Sequence, residues 1–220
     1  MNVASVSRRP APLDVLTVLV LVVAIYLFVR PGSLAHAQFT QWLALRETKA
    51  AIERNWAQIE SVAVPLYVGD GKPQLVEVLD YECPFCRLIG ATVDSTVSGG
   101  VRIAVIHLPL SIHPRSTDTA RAAICARNFD GGDALHRVLL RESAWQSEQD
   151  FESIASSLPF VRDPKFAACL TSPGTTETLR THLAIIEKLA IRATPTIFSR
   201  DGLLVDAPSV AALTAFAQRQ

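Results

Sequence analysis

The 220-residue sequence has no surplus of charge of either sign, with Lys+Arg and Asp+Glu both at 21. The basic excess that would point to nucleic acid is missing, and so is an acidic tail. Cysteine is scarce: Cys83, Cys86, Cys125 and Cys169 are the only four. That is too few for a disulfide-stapled scaffold, so the core must come from packing and the cysteines need another explanation. No internal repeat and no low-complexity tract is present. With 49% hydrophobic residues, the body of the chain is not a disordered segment. Its length beyond the N-terminus suits one domain of ordinary size.

What the sequence does have, first, is an apolar run. Val15 to Val29 carries no charge, follows Arg8 and Arg9, and is closed by Arg30-Pro31-Gly32. Such a segment enters a membrane or serves as a signal-peptide core, and the leading positive residues keep the N-terminus cytoplasmic. Residues 1–37 are therefore read as a transmembrane anchor or a signal peptide. Ala35-His36-Ala37 has the small-x-small form of a cleavage site, but its distance from the run favours the anchor. Either way, everything downstream is exported.

Trp42, Leu45, Lys49, Ile52, Trp56 and Ile59 recur at spacings of three and four, which predicts an amphipathic helix over 39–59. Residues 38–64 are read as a helical stalk, or as a helix packed on its own domain. The alternative is a homodimer formed through 39–59. Pro65 and a turn at Gly69-Asp70-Gly71 open the main domain, residues 65–220.

Within that domain, Leu75–Leu79 reads as a buried strand, Pro84 to about Val97 as a helix closed by Gly99-Gly100, and Val101–Leu108 as a second strand. Two strands joined by a helix predict a right-handed βαβ unit with parallel pairing. A helical block follows over about 111–190, with segments at 120–128, 133–141, 149–157, 164–170 and 175–189. Thr196–Ser199 is then a strand, Asp201-Gly202 a hairpin turn, Leu203–Val205 its partner, and Ser209–Ala217 a closing helix. The order βαβ, helical block, ββα is an α/β thioredoxin fold with an inserted helical subdomain, preceded by an N-terminal membrane helix.

The chemistry lies in Cys83-Pro84-Phe85-Cys86. Disulfide exchange needs an accessible thiolate and a second cysteine close enough to resolve the mixed disulfide. A helix N-terminus favours the thiolate through its unpaired N–H groups and dipole. Pro84 suits the first helical position, and Cys86 lies one turn on, so it should be the more buried of the two. Half a zinc site has the same spacing, but only Cys125 and Cys169 remain as further cysteine ligands, so no metal is expected. Glu77 interrupts an apolar strand. Buried, it is a proton relay for the resolving cysteine with a raised pKa; at a strand edge it is merely solvated. Thr194-Pro195 leads into the late strand and is either a cis peptide, leaving a backbone edge for a bound peptide, or an ordinary strand-initial trans proline. His107 and His113 are read as structural rather than redox-active.

These residues together resemble the DsbA-like family of the thioredoxin superfamily, from about Gln74 to the C-terminus. The likeness is carried by Glu77-Val78-Leu79-Asp80-Tyr81-Glu82-Cys83-Pro84-Phe85-Cys86, His107-Leu108-Pro109-Leu110, His113-Pro114, Ala122-Ala123-Ile124-Cys125-Ala126 and Thr194-Pro195-Thr196. The resemblance implies an exported oxidoreductase in which Cys83 attacks, Cys86 resolves, Glu77 is the buried acid and Pro195 is a cis-proline facing the disulfide. Thr194, Pro84 and Phe85 would then meet the substrate. The implied partners are exported cysteine-containing proteins and a membrane redox partner that resets the pair, with no cofactor beyond the disulfide itself. Phe85 stands where the strongest oxidants of the family carry histidine. Oxidase is the preferred direction, against a reductase or isomerase of the same fold, or a membrane-tethered binding or assembly module with structural or metal-binding cysteines. Cys125 and Cys169 are two buried thiols or a structural disulfide; the latter is favoured in an oxidising compartment and needs Cα atoms within about 7 Å.

Overall fold

A computed structural model describes residues 12–66, 71–129, 134–147, 151–204 and 208–219. The apolar run is helix α1, Pro12–Val29. The amphipathic stripe is helix α2, Leu34–Val62, longer than expected at both ends. Among the described residues no single helix is long and apolar enough to cross a membrane; α1 and α2 meet that test only as a pair, bent by 59° at their break.

The chain divides after Glu47 into two compact units. The stalk expected over 38–64 is therefore split. From Thr48 onward α2 belongs to the main domain, because Ala51, Ile52, Trp56 and Ile59 are buried there against the sheet and against Ile185, Ile186 and Leu189. Those side chains are not free to pair with a second copy. Trp42 and Leu45, on the same stripe, stay exposed.

The main domain is built on a five-stranded sheet ordered β1-β3-β2-β4-β5. Its strands are β1 (Val64–Pro65), β2 (Leu75–Leu79), β3 (Ile103–His107), β4 (Thr196–Ser199) and β5 (Gly202–Leu204). β2 and β3 run parallel, with Leu79 opposite His107, and helix α3 (Pro84–Ser98) joins them. β4 pairs antiparallel with β2, and β5 with β4. β1 was not foreseen: it has two residues, and its Pro65 is tolerated only because the strand lies at the sheet edge. The hairpin turn is Arg200-Asp201 rather than Asp201-Gly202, since Gly202 already pairs with Ser199.

Both faces of the sheet are covered. Val76 and Val78 of β2 face α2 and α7 (Pro173–Lys188). Leu75 and Leu79 face the other way, the former toward α3 and α8 (Val210–Ala217), the latter toward the helical block. Gly90 lets α3 approach the block closely: a Cβ there would meet Leu140 at 3.0 Å. The block holds α4 (Ser116–Ala126), α5 (Ala134–Arg141), α6 (Pro164–Leu170) and α7. Where a helix was expected at 149–157 the described residues form one short 3-10 turn, Glu152–Ile154. Gly69 and Asp70 of the expected turn, and Val205 of the last strand, lie outside the described residues.

Cys125 of α4 and Cys169 of α6 are joined in a disulfide, with Cα atoms 5.9 Å apart. The Thr175 hydroxyl at the start of α7 lies against both sulfurs, at 3.3 and 3.4 Å.

Candidate active site

Cys83 is the N-cap of α3, in extended conformation, and Pro84 follows at the first helical position. The proline costs the helix no hydrogen bond there. The Cys83 carbonyl accepts the first helical bond, from the Arg87 N–H at 3.1 Å. Cys83 keeps 4% of its surface exposed and Cys86 none, so Cys83 is the more accessible of the two sulfurs. Both are free thiols.

The Thr194–Pro195 bond is cis. It brings the Thr194 carbonyl, 111 residues from Cys83 in sequence, to 3.3 Å from Cys83 Sγ, which donates to it. Thr194, Pro195, Cys83 and Pro84 thus meet at one end of the sheet. Phe85, beside them in sequence, is 66% exposed. Leu88 one turn on and Ile112 in the loop after β3 are 76% and 79% exposed.

Glu77 is fully buried, and among the described residues neither carboxylate oxygen has a hydrogen-bond partner. The reason is topological. β2 is central, paired to β3 at Val105 and to β4 at Ile197, with both faces covered, so position 77 has no solvent side. Burial raises its pKa to about 8, and the Asp94 carboxylate of α3 adds to the rise. The Cys86 thiol is pushed up by burial and then by Glu77, which ties the two groups to one pocket. Tyr81 is pushed up by burial, then by Glu77 and Cys86. A buried acid that titrates near neutrality, beside a buried thiol that resists ionisation, can hold and return the proton that resolution requires.

Two site features escaped the sequence reading. Asp80 and Glu82 latch the loop leading into Cys83. The Asp80 carboxylate accepts from the Glu82 and Leu110 N–H groups at 3.0 and 2.9 Å and from His113 Nδ1 at 2.7 Å. Its carbonyl accepts from the Cys83 N–H at 3.1 Å. Glu82 accepts from the Arg115 N–H. The only sequence signal was two acids flanking a tyrosine between apolar strand and cysteine. The second feature is a buried aromatic chain below the loop. Tyr81 Oη lies 3.3 Å from His136 Nδ1 on α5, and the Tyr81 ring packs on His107, which stacks on His182 of α7. His182 Nε2 donates to the Val62 carbonyl at 2.8 Å. Burial lowers the pKa of all three histidines, to about 3 for His136 and about 4 for His182.

The sequence matches the family described as Thioredoxin over residues 66–218. No curated protein matches it significantly. Among solved structures, a linker-deletion mutant of Proteus mirabilis ScsC matches with TM-score 0.67 at 16% identity, over 97% of this chain and 98% of that one. A thioredoxin-like oxidoreductase from Silicibacter pomeroyi matches with TM-score 0.61 at 24% identity, over 77% and 95%. The thiol-disulfide exchange protein alpha-DsbA2 from Wolbachia pipientis matches with TM-score 0.63 at 18% identity, over 78% and 95%. At these identities the likeness is one of fold. With the family match across the main domain, the chain belongs to the thioredoxin family and has the fold of its DsbA-like members.

Proposed function

We propose that the chain is a membrane-anchored thiol–disulfide oxidoreductase whose catalytic domain works outside the cytoplasm, forming disulfides in exported proteins. The observation that carries this reading is Cys83 at the N-cap of α3, with its sulfur 3.3 Å from the carbonyl preceding cis-Pro195. With the pair oxidised, a substrate thiolate attacks Cys83 Sγ. The Cys83–Cys86 bond breaks, a mixed disulfide forms, and Cys86 leaves as a thiolate that takes the Glu77 proton. A second substrate thiolate attacks the substrate sulfur of the mixed disulfide and expels Cys83 as a thiolate. The two substrate thiols have released their protons to solvent, and solvent returns two, one to Cys83 and one to Glu77, so the substrate has lost two electrons and two protons and the chain has gained them. A membrane redox partner removes them and resets the pair. No cofactor enters these steps.

The exposed Phe85, Leu88 and Ile112 beside the pair suit a substrate that presents apolar, unfolded polypeptide. The Thr194 backbone offers an edge for it to pair with. The Cys125–Cys169 disulfide supports an oxidising compartment. It also leaves Cys83 and Cys86 without two further cysteine ligands, against a zinc site. Ala35-His36-Ala37 lies inside helix α2, which supports the uncleaved anchor.

Phe85 gives the Cys83 thiolate no imidazole donor, and this favours a weaker oxidant as the second reading. Equilibration of the pair with glutathione decides between them. A reduction potential nearer about −120 mV supports the oxidase; one near about −270 mV assigns the reductase direction. Cys83→Ser abolishes exchange on a model dithiol substrate. Retained cellular function in that variant would sink both and leave a tethered binding module.

A further inference from the structure

We infer that the first turns of α2, Leu34–Trp42, seat in the headgroup layer of the lipid bilayer that α1 enters, with Phe39 and Trp42 as the contact and Arg46 at its outer edge. This rests on the reading of α1 as the anchor. At about 1.5 Å per residue, α1's 18 residues span about 27 Å, slightly less than the ~30 Å hydrocarbon core. The break after Val29 therefore falls at the edge of the hydrocarbon rather than beyond it. Arg30 and Ser33 close the turn, and the Ser33 hydroxyl accepts the His36 N–H at 3.1 Å, which starts α2 at once.

The two helices meet at 59°. With α1 along the bilayer normal, each residue of α2 then climbs only about 0.8 Å. Phe39 lies about 4 Å above Leu34, Trp42 about 6 Å, and Arg46 about 9 Å. The headgroup layer is about 5–7 Å thick. The side chains change character at those heights. Phe28 at the end of α1 contacts Phe39 at 5.0 Å, Phe39 stacks on Trp42 at 5.9 Å, and the Arg46 guanidinium sits 4.8 Å over the Trp42 ring. Apolar rings, then an indole, then a cation is the order in which hydrocarbon gives way to phosphate and water. Trp42 is 49% exposed and Phe39 40%, so both faces are open to lipid.

Trp42 reports its own depth, because the other tryptophans, Trp56 and Trp145, are buried. The full chain is reconstituted in phosphatidylcholine vesicles, floated, and its fluorescence compared with that of Trp42→Phe. Lipids brominated high on the acyl chain are expected to quench the Trp42 component about twofold more than lipids brominated near the chain ends. Trp42→Phe should remove almost all quenching. A chain that floats while Trp42 stays unquenched overturns the inference and leaves the anchor standing. Stronger quenching by the deep bromines also overturns it, because α2 would then lie in hydrocarbon. Trp42 shielding that depends on protein-to-lipid ratio without quenching would assign this face to a second copy. Failure to float removes the anchor and the inference together.

Discussion

Glu77 gives the clearest residue-scale test. Its pKa is raised from 4.5 to about 8 in the fold. A raised carboxyl contributes stability that is complete below pH 4.5 and lost as pH rises through 8, because the unfolded chain ionises first. Glu77→Gln should therefore show urea midpoints that fall less, relative to wild type, as pH rises from 5 to 8. It should also slow exchange about a hundredfold near pH 7 by removing the proton carrier. The buried histidines have the opposite sign. His136 and His182 fall from 6.5 to about 3 and about 4. They stay neutral in the fold while the unfolded chain protonates below 6.5, so their contribution is complete above that pH and lost as pH falls toward 3. His136→Gln should shallow the acid limb of the same urea series. Glu77 slopes the other way over part of this window, so the comparison is between variants: a His136→Gln midpoint that runs parallel to the wild-type one between pH 6.5 and 4 would contradict this. Sequence alone pointed to Glu77, since an acid in a five-residue apolar strand stands out. It could not point to His136 or His182, whose partners lie 55 and 120 residues away.

At the scale of elements, the Cys125–Cys169 bond ties α4 to α6 across 44 residues. Replacing both cysteines with serine should lower stability by roughly 2–5 kcal/mol, read from denaturant midpoints. β2, α3, α6 and α8 were legible because each carries a complete local signal: a strand with no polar face, or a helix opened by Pro, Asp or Ser at its cap. β1 had no such signal, since two residues make no pattern and one is proline. The 3-10 turn at Glu152–Ile154 reads as helix in the sequence because composition does not separate i→i+3 from i→i+4 bonding. The latch made by Asp80 was invisible for a different reason: its partners, Leu110 and His113, belong to a loop with no periodicity of its own.

For the molecule as a whole, the division after Glu47 is a practical boundary. A chain beginning at Thr48 should fold, float with no vesicle and keep the reduction potential of the full protein. One beginning at Pro65 loses Ile52, Trp56 and Ile59 from the core. At roughly 1.5–3 kcal/mol per large apolar side chain, this should leave it unfolded or aggregated. Circular dichroism and sedimentation of the two truncations distinguish these outcomes; equal stability would mean that α2 is dispensable to the domain. The period of the stripe was readable, but not the point along it where neighbours stop, because a helix face repeats whether or not anything lies against it. The bonded pair Cys125–Cys169 also makes this chain a client of the chemistry proposed for it. Its helical block is finished only where some oxidant has already acted, so the first copies made in a cell depend on another source of disulfides, and later copies can be completed by earlier ones. The unreduced, denatured chain carries a record of that history: four titratable thiols if it never left a reducing compartment, two if only Cys83 and Cys86 are open, and none once it is charged for a turnover.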